Sequence, residues 1–255
     1  VLKNLSWKNV LIVGARRGSL GFHVAENLRS VSKSESSTVS SALSTFTAGL
    51  SGEEIFFDAL WTRESIIDTL DDLDITDVVC TVGVNMEHEI TNFDADRLVE
   101  ETRVNAVAPM NLLSAWIDHI TDRPLTSIGE LMPGNAHHFA IISSNSAQIA
   151  RSKSLGYCMS KAAVSMGVRV AARTAASLSQ PLAVYAYEPG WLEGTPMSDN
   201  VSRRIAHSVP KGAPPHRIPG GNGIDTRHLA GMITSNLFAG QELNGTTLRI
   251  DGGEQ

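Results

Sequence analysis

The chain has 255 residues, a net charge of −6 and two cysteines, Cys80 and Cys158. Its length is ample for one α/β hydrophobic core. The acidic balance (pI near 5.7) leaves no global basic field for nucleic acid or an anionic membrane, two cysteines cannot build a disulfide framework, and no apolar run approaches the ~20 residues of a membrane span.

Strand-like runs alternate with helix-like runs along the chain. Trp7–Val13, Glu54–Phe57, Asp77–Val82, His138–Ser143, Ala183–Tyr187 and Thr246–Ile250 are expected strands, with a second strand around Thr38–Leu43 blurred by the serine-rich stretch Ser30–Ser44. Several are apolar throughout, as parallel strands covered on both faces must be. Gly21–Arg29, Arg63–Leu73, Asp94–His119, Leu155–Leu178 and Asp225–Phe238 carry helix patterns, and Pro181 stops the fourth. This rhythm predicts an α/β fold with a doubly wound, Rossmann-type parallel sheet in a single domain spanning residues 1–255. Such sheets bind ligands beyond the carboxyl ends of their strands.

The first strand runs into Gly14-Ala15-Arg16-Arg17-Gly18-Ser19-Leu20-Gly21 and then a helix. Glycines there let the backbone turn tightly and approach a pyrophosphate, which the helix end stabilises through free N–H groups. The same glycines also suit a turn without a ligand.

Ser143-Ser144 closes a predicted strand, and Tyr157 and Lys161 follow within the next helix. Positions i and i+4 share a helix face, so phenol and ammonium can enter one site. An ordinary tyrosine, with a pKa near 10, is a poor proton carrier at neutral pH; a neighbouring ammonium is expected to lower that pKa. Ser144 can orient a substrate oxygen beside it. A Tyr–Lys pair at this spacing is also common on solvated helix surfaces.

The ordered set Gly14, Gly18, Gly21, Asn105, Ser144, Tyr157-x-x-x-Lys161 and Pro189-Gly190 resembles the short-chain dehydrogenase/reductase family, in its single-domain branch of about 250 residues. Val104-Asn105-Ala106, Ile141-Ile142-Ser143-Ser144, Glu188-Pro189-Gly190 and Asp251-Gly252-Gly253 match well, and the resemblance runs from Lys8 to Gly253. Two departures stand out. Gly21 is one place later than the family's third glycine, which leaves the amides of Ser19 and Leu20 for phosphate. Cys80-Thr81-Val82-Gly83 replaces Asn-Asn-Ala-Gly, so only Gly83 matches.

The resemblance implies a nicotinamide-dependent oxidoreductase interconverting a carbonyl and an alcohol. Tyr157 is then the general acid of reduction, Lys161 binds the ribose hydroxyls, Ser144 bonds the substrate oxygen, and Asn105 distorts its helix and holds a water linked to the lysine. The cofactor set it implies is Gly14, Arg16, Arg17, Gly18, Ser19, Leu20, Gly21, Asp58, Ala59, Gly83, Tyr157, Lys161, Pro189, Gly190, Leu192 and Thr195, with Asp58 and the Ala59 amide at the adenine and Thr195 at the carboxamide. It also implies a dimer or tetramer built on the two long helices. The alternative is a catalytically silent dinucleotide sensor or scaffold with the same fold.

An acidic residue after the second strand would hold the ribose of NAD(H). None precedes Glu53, whereas serines, Thr45, Arg16 and Arg17 suit a 2′-phosphate, so NADP(H) is favoured over NAD(H). Residues 191–223 are expected to form a loop-like lid over the substrate, with Trp191 as an apolar wall. No metal is expected in the chemistry. The substrate is expected to be a small molecule and the setting cytoplasmic, without a membrane or nucleic-acid partner.

Overall fold

In the computed structural model, residues 8–34, 43–48, 53–54, 62–123, 136–208 and 223–253 are described. Lys8–Val13 forms β1, an interior strand of a seven-stranded sheet, because its run Val10-Leu11-Ile12-Val13 can be buried on both faces. Around it lie β2 (Leu43–Ala48), β3 (Glu53–Glu54), β4 (Asp77–Cys80), β5 (His137–Ile142), β6 (Leu182–Pro189) and, last in the chain, Thr247–Ile250. The order is β3-β2-β1-β4-β5-β6 and then the last strand, β9, and every pairing in this sheet is parallel. The chain moves outward from β1 to β3 and returns to β4 on the other side. The switch point therefore lies between the carboxyl ends of β1 and β4.

Alternate residues of each strand enter two cores. Leu11, Val78, Phe139 and Val184 pack with Leu112, Trp116, Val164 and Val168 from α4 (Ala108–Asp122) and α5 (Leu155–Ala175). Val10, Ile12, Val79 and Ala140 pack on the opposite face with Leu20, Val24, Leu28, Leu229 and Ile233, from α1 (Leu20–Ser34) and α7 (Thr226–Asn236). Each large side chain so buried contributes about 1.5–3 kcal/mol, and burial on both faces explains why these strands carry no polar alternation.

The second strand lies at Leu43–Ala48, five residues beyond the predicted Thr38–Leu43, in register Val10↔Thr45 and Leu11↔Phe46. Thr45, Phe46 and Thr47 supply β-branched and aromatic residues that the serine run lacks. Thr45 is thus a strand residue rather than a donor beyond the strand end. The third strand begins at Glu53, and the rest of the predicted Glu54–Phe57 lies outside the described residues, as do Asp58 and Ala59.

The long helix predicted over Asp94–His119 is divided. After α2 (Arg63–Asp72) and β4, α3 runs from Ala95 to Thr102, capped by Asp94, whose carboxylate accepts from the Arg97 amide at 3.1 Å. A π-turn over Arg103–Val107 then leads into α4. Pro109 lacks the N–H that an α-helix would offer the carbonyl of Asn105, and its ring crowds that carbonyl, so the chain opens into a wider turn there. The lid region is not a loop throughout: β7 (Leu192–Glu193) pairs with β8 (Ile224–Asp225), and Pro196–Ser208 forms α6. Among the described residues no helix is long and apolar enough to cross a membrane.

Candidate active site

The loop after β1 turns at Gly14 and Gly18, with φ of +94° and +78°. These are conformations glycine adopts without strain. A Cβ on Gly14 would meet Thr81 Oγ1 at 2.7 Å and the Val82 amide nitrogen at 3.1 Å; one on Gly21 would meet the same hydroxyl at 2.7 Å and the Gly14 carbonyl at 3.0 Å. Gly14 and Gly21 are therefore packing glycines. At Gly18 no atom lies within 4 Å of the Cβ position, so its backbone faces open space.

Ser19 caps α1: its hydroxyl accepts from the Phe22 amide at 3.3 Å and donates to the Gly14 carbonyl at 2.9 Å. The amides of Leu20 and Gly21 precede Phe22 and have no partner inside the helix. The Leu20 side chain is buried in the core, so only its backbone faces the loop, and Arg16 and Arg17 are exposed on the loop's crest. The donor set suits a dinucleotide pyrophosphate: backbone amides at a helix start, an open glycine and two flanking guanidinium groups.

Thr81, at the end of β4, ties this loop down. Its hydroxyl lies 3.1 Å from the Val13 carbonyl and 3.0 Å from the Gly14 carbonyl, and its amide donates to Val13 at 2.9 Å. Sequence reasoning passed over Thr81 because it stands where an asparagine was expected; the signal was a β-branched hydroxyl residue at the switch point. Cys80 is buried, which pushes its thiol up to about 11, as befits an inert apolar position.

Ser144, Tyr157, Lys161 and Asn105 converge beyond β4 and β5. The hydroxyl of Ser144 hydrogen-bonds the Tyr157 phenol and accepts from the Ser146 amide at 3.1 Å, capping a short turn at Asn145–Ala147. The Lys161 ammonium donates to the Ile142 carbonyl at 2.8 Å and lies 5.7 Å from the centroid of the Tyr157 ring. Asn105, fully buried in the π-turn, accepts from the Val84 amide at 2.7 Å and donates to the Val84 carbonyl at 2.8 Å and to Ser160 Oγ at 3.0 Å. Gly83 supplies the clearance: a Cβ there would be 3.1 Å from Lys161 Nζ and 3.6 Å from Asn105 Oδ1.

The electrostatics correct one expectation. Burial pushes the Tyr157 phenol up to about 12, opposed by its bond from Ser144, and the ammonium does not reverse this. Lys161 is itself buried, which brings it down to about 8. Its nitrogen is bonded to Ile142 rather than to the phenol.

Behind Ser144, the buried Glu188 carboxylate accepts from Ser165 Oγ at 2.7 Å and from Gln148 Nε2 at 2.5 Å. Ser143 Oγ donates to the Lys161 carbonyl at 3.0 Å. These bonds join β6, α5 and the Ser144 loop.

Pro189 ends β6. The Gly190 amide donates to Ile250 at 2.8 Å, and a Cβ there would lie 3.0 Å from Asp251 Cα and 3.4 Å from Asn145 Nδ2. Leu192 packs against the α1–α7 core. Thr195 is buried as the cap of α6, its hydroxyl accepting from the Ser198 amide at 3.1 Å and donating to Ser198 Oγ at 2.9 Å. Trp191 is half-buried, and its carbonyl accepts from Ile224 at 2.7 Å.

No family model and no curated protein matches the chain. Solved structures do. A ligand-free aldohexose dehydrogenase of Thermoplasma acidophilum is 18% identical with a TM-score of 0.74, covering 98% of this chain and 94% of that one. A short-chain dehydrogenase family protein of Francisella tularensis is 16% identical at 0.74, covering 97% and 98%. BdcA in complex with NADPH is 17% identical at 0.66, covering 98% and 96%. The chain has the Rossmann-type fold of the short-chain dehydrogenases.

Proposed function

We propose that this chain, with the fold of the short-chain dehydrogenases/reductases, is an oxidoreductase of that family that reduces a small carbonyl compound with NADPH. The observation that carries the reading is the meeting of Ser144, Tyr157, Lys161 and Asn105 beside a glycine loop at the switch point. A silent scaffold has no need of three buried polar side chains gathered around a phenol.

Nicotinamide dinucleotide, when bound, supplies the hydride. The loop amides and the start of α1 hold its pyrophosphate, and Arg16 and Arg17 stand ready for a 2′-phosphate. BdcA, of the same fold, holds NADPH. Lys161 and Tyr157 would hold the ribose hydroxyls. Ser144 orients the substrate oxygen toward the phenol, and Tyr157 passes its proton to that oxygen as the carbonyl carbon is reduced. A phenol near 12 remains protonated throughout the neutral range, which suits it as an acid more than as a base. Trp191 serves as an apolar wall for the substrate.

A second copy of the chain is the proposed partner. Val99, Val107, Met159, Met166 and Val170 are more than half exposed, and all lie on α3, the π-turn or α5. On α5 they follow, with Ala163, the i, i+4, i+7, i+11 spacing of a helix-packing stripe.

The test is an NADPH-consumption assay over a panel of aldehydes, ketones and quinones, with dinucleotide binding followed by fluorescence. Tyr157→Phe is expected to bind NADPH as the wild type does and to lose turnover by roughly a hundredfold or more. Normal turnover in that variant overturns the assignment of chemistry.

A further inference from the structure

Glu101 and His88 are buried and stand outside the tetrad. Their exposures are 0% and 2%, and Glu101 Oε2 lies 3.1 Å from His88 Nε2, in contact without the alignment of a hydrogen bond. Isolated buried charges are costly, so a carboxylate kept here needs a compensating contact.

The pair sits where three site-bearing segments meet. Glu101 is on α3, one turn before Asn105. Its other oxygen accepts from the Met86 amide at 3.1 Å, and Arg97 holds the Met86 carbonyl from the preceding turn of the same helix. His88 belongs to the loop that leaves β4 through Gly83. Its amide donates to the Lys153 carbonyl at 3.0 Å, and its carbonyl accepts from the Leu155 amide at 3.3 Å. Leu155 begins α5, and Tyr157 lies in that helix's first turn.

Gly156 shows how tightly the parts are fitted. A Cβ there would overlap Glu101 Oε2 and lie 3.0 Å from His88 Cδ2. The residue before Tyr157 is bare so that the carboxylate can reach the start of α5.

We propose that His88 and Glu101 are positioning residues for Tyr157, clamping the loop after β4 and the first turn of α5 onto α3 through the carboxylate's charge rather than its bulk. This rests on the oxidoreductase reading. The titratable and charged groups around Glu101 are His88 from the loop, Arg97 from its own helix, and Tyr157 and Lys161 from α5. Burial raises the Glu101 carboxyl, opposed by the Met86 amide, His88 and Arg97; when ionised, its negative charge raises both Tyr157 and Lys161 and so favours phenol and ammonium, the forms that carbonyl reduction uses.

The experiment compares wild type, Glu101→Gln and His88→Gln. Backbone amide exchange is read at Met86, His88 and Leu155. Kinetics are read with NADPH and the carbonyl compound the wild type reduces fastest in the panel above. Glu101→Gln keeps the side-chain length and an acceptor for Met86. It is expected to speed exchange at those three amides about tenfold while β5 and β6 stay protected. It is expected to lower kcat about tenfold or more, to leave the KM for NADPH within about twofold, and to move the alkaline limb of kcat to lower pH. Should Glu101→Gln fail to fold, His88→Gln carries the same expectations for exchange and kcat, while the alkaline limb does not move to lower pH because the carboxylate stays in place. Unchanged exchange overturns the clamp. Faster exchange with wild-type kcat and alkaline limb overturns the positioning role. If the wild type neither binds a nicotinamide dinucleotide nor turns over, the oxidoreductase reading fails, and exchange at Leu155 alone decides the clamp.

Discussion

The Lys161 ammonium spends its shortest contact on the Ile142 carbonyl, 2.8 Å away, and stands 5.7 Å from the centre of the Tyr157 ring. A buried ammonium bonded to one carbonyl is poorly compensated, which is why Lys161 falls from 10.5 to about 8.

That shift carries a stability cost with a definite sign. The unfolded chain holds the proton up to about pH 10.5 and the folded chain only to about 8, so between these values the unfolded state binds more protons and stability rises with pH. Below pH 8 the full cost, about 3 kcal/mol for some 2.5 pH units, is present. Lys161→Met removes it and gives up one hydrogen bond worth about 1 kcal/mol. At pH 7 the variant is expected to be more stable by about 2 kcal/mol in urea denaturation and nearly inactive. The wild type should close the gap as pH rises from 8 toward 10. A variant less stable than wild type at pH 7 would show that the ammonium is better compensated than its contacts indicate.

Thr81 holds the two carbonyls at the turn of the glycine loop, those of Val13 and Gly14. Thr81→Val keeps the shape and deletes the hydroxyl. Its loss should cost about 1–2 kcal/mol of stability and weaken NADPH binding about tenfold, because the loop amides lose their fixed aim. Titration of both proteins with NADPH checks this. Equal affinities would mean that Gly14 and Gly21, packed against the same residue, hold the loop without it.

Thr81 also marks the limit of what could be read in advance. The glycine loop, the helix face shared by Tyr157 and Lys161, and Ser144 at a strand end are local patterns, and local patterns survive in a single sequence. Asn105 was placed within one long helix. Pro109, four residues on, was the available sign of the π-turn, since a missing N–H opens a helix where it falls. The second strand begins later than the serine-rich pattern suggests, because serines blur a strand's start and only the register with β1 fixes it. Glu101 followed Glu100 in what looks like a solvated acidic turn. Its burial comes from His88 and Gly156, distant in sequence, and no spacing rule brings them together.

Arg16 and Arg17 are exposed on the crest of the loop, and the acid that would hold an unphosphorylated ribose was not found before Glu53. Replacing both arginines with serine should weaken NADPH binding about tenfold and leave NADH within about twofold, since only NADPH offers the 2′-phosphate. The difference should shrink at high salt, because exposed charges are screened over about 10 Å at 0.1 M. Equal losses for both dinucleotides would assign the arginines to the pyrophosphate instead.

The stripe Met159, Ala163, Met166, Val170 on α5 faces outward, whereas Val164 and Val168 of the same helix face the core. The core covers the Val164–Val168 face, whereas Met159, Met166 and Val170 remain more than half exposed among the described residues. A second copy placing the same stripe against it would bury both surfaces by two-fold symmetry. Sedimentation of the wild type should therefore give a dimer or tetramer of the 27.3 kDa chain. Met166→Glu with Val170→Glu should shift it to monomer while the far-ultraviolet circular dichroism stays unchanged, because neither side chain enters either core. A wild type that sediments as a monomer at micromolar concentration would leave the stripe without this partner.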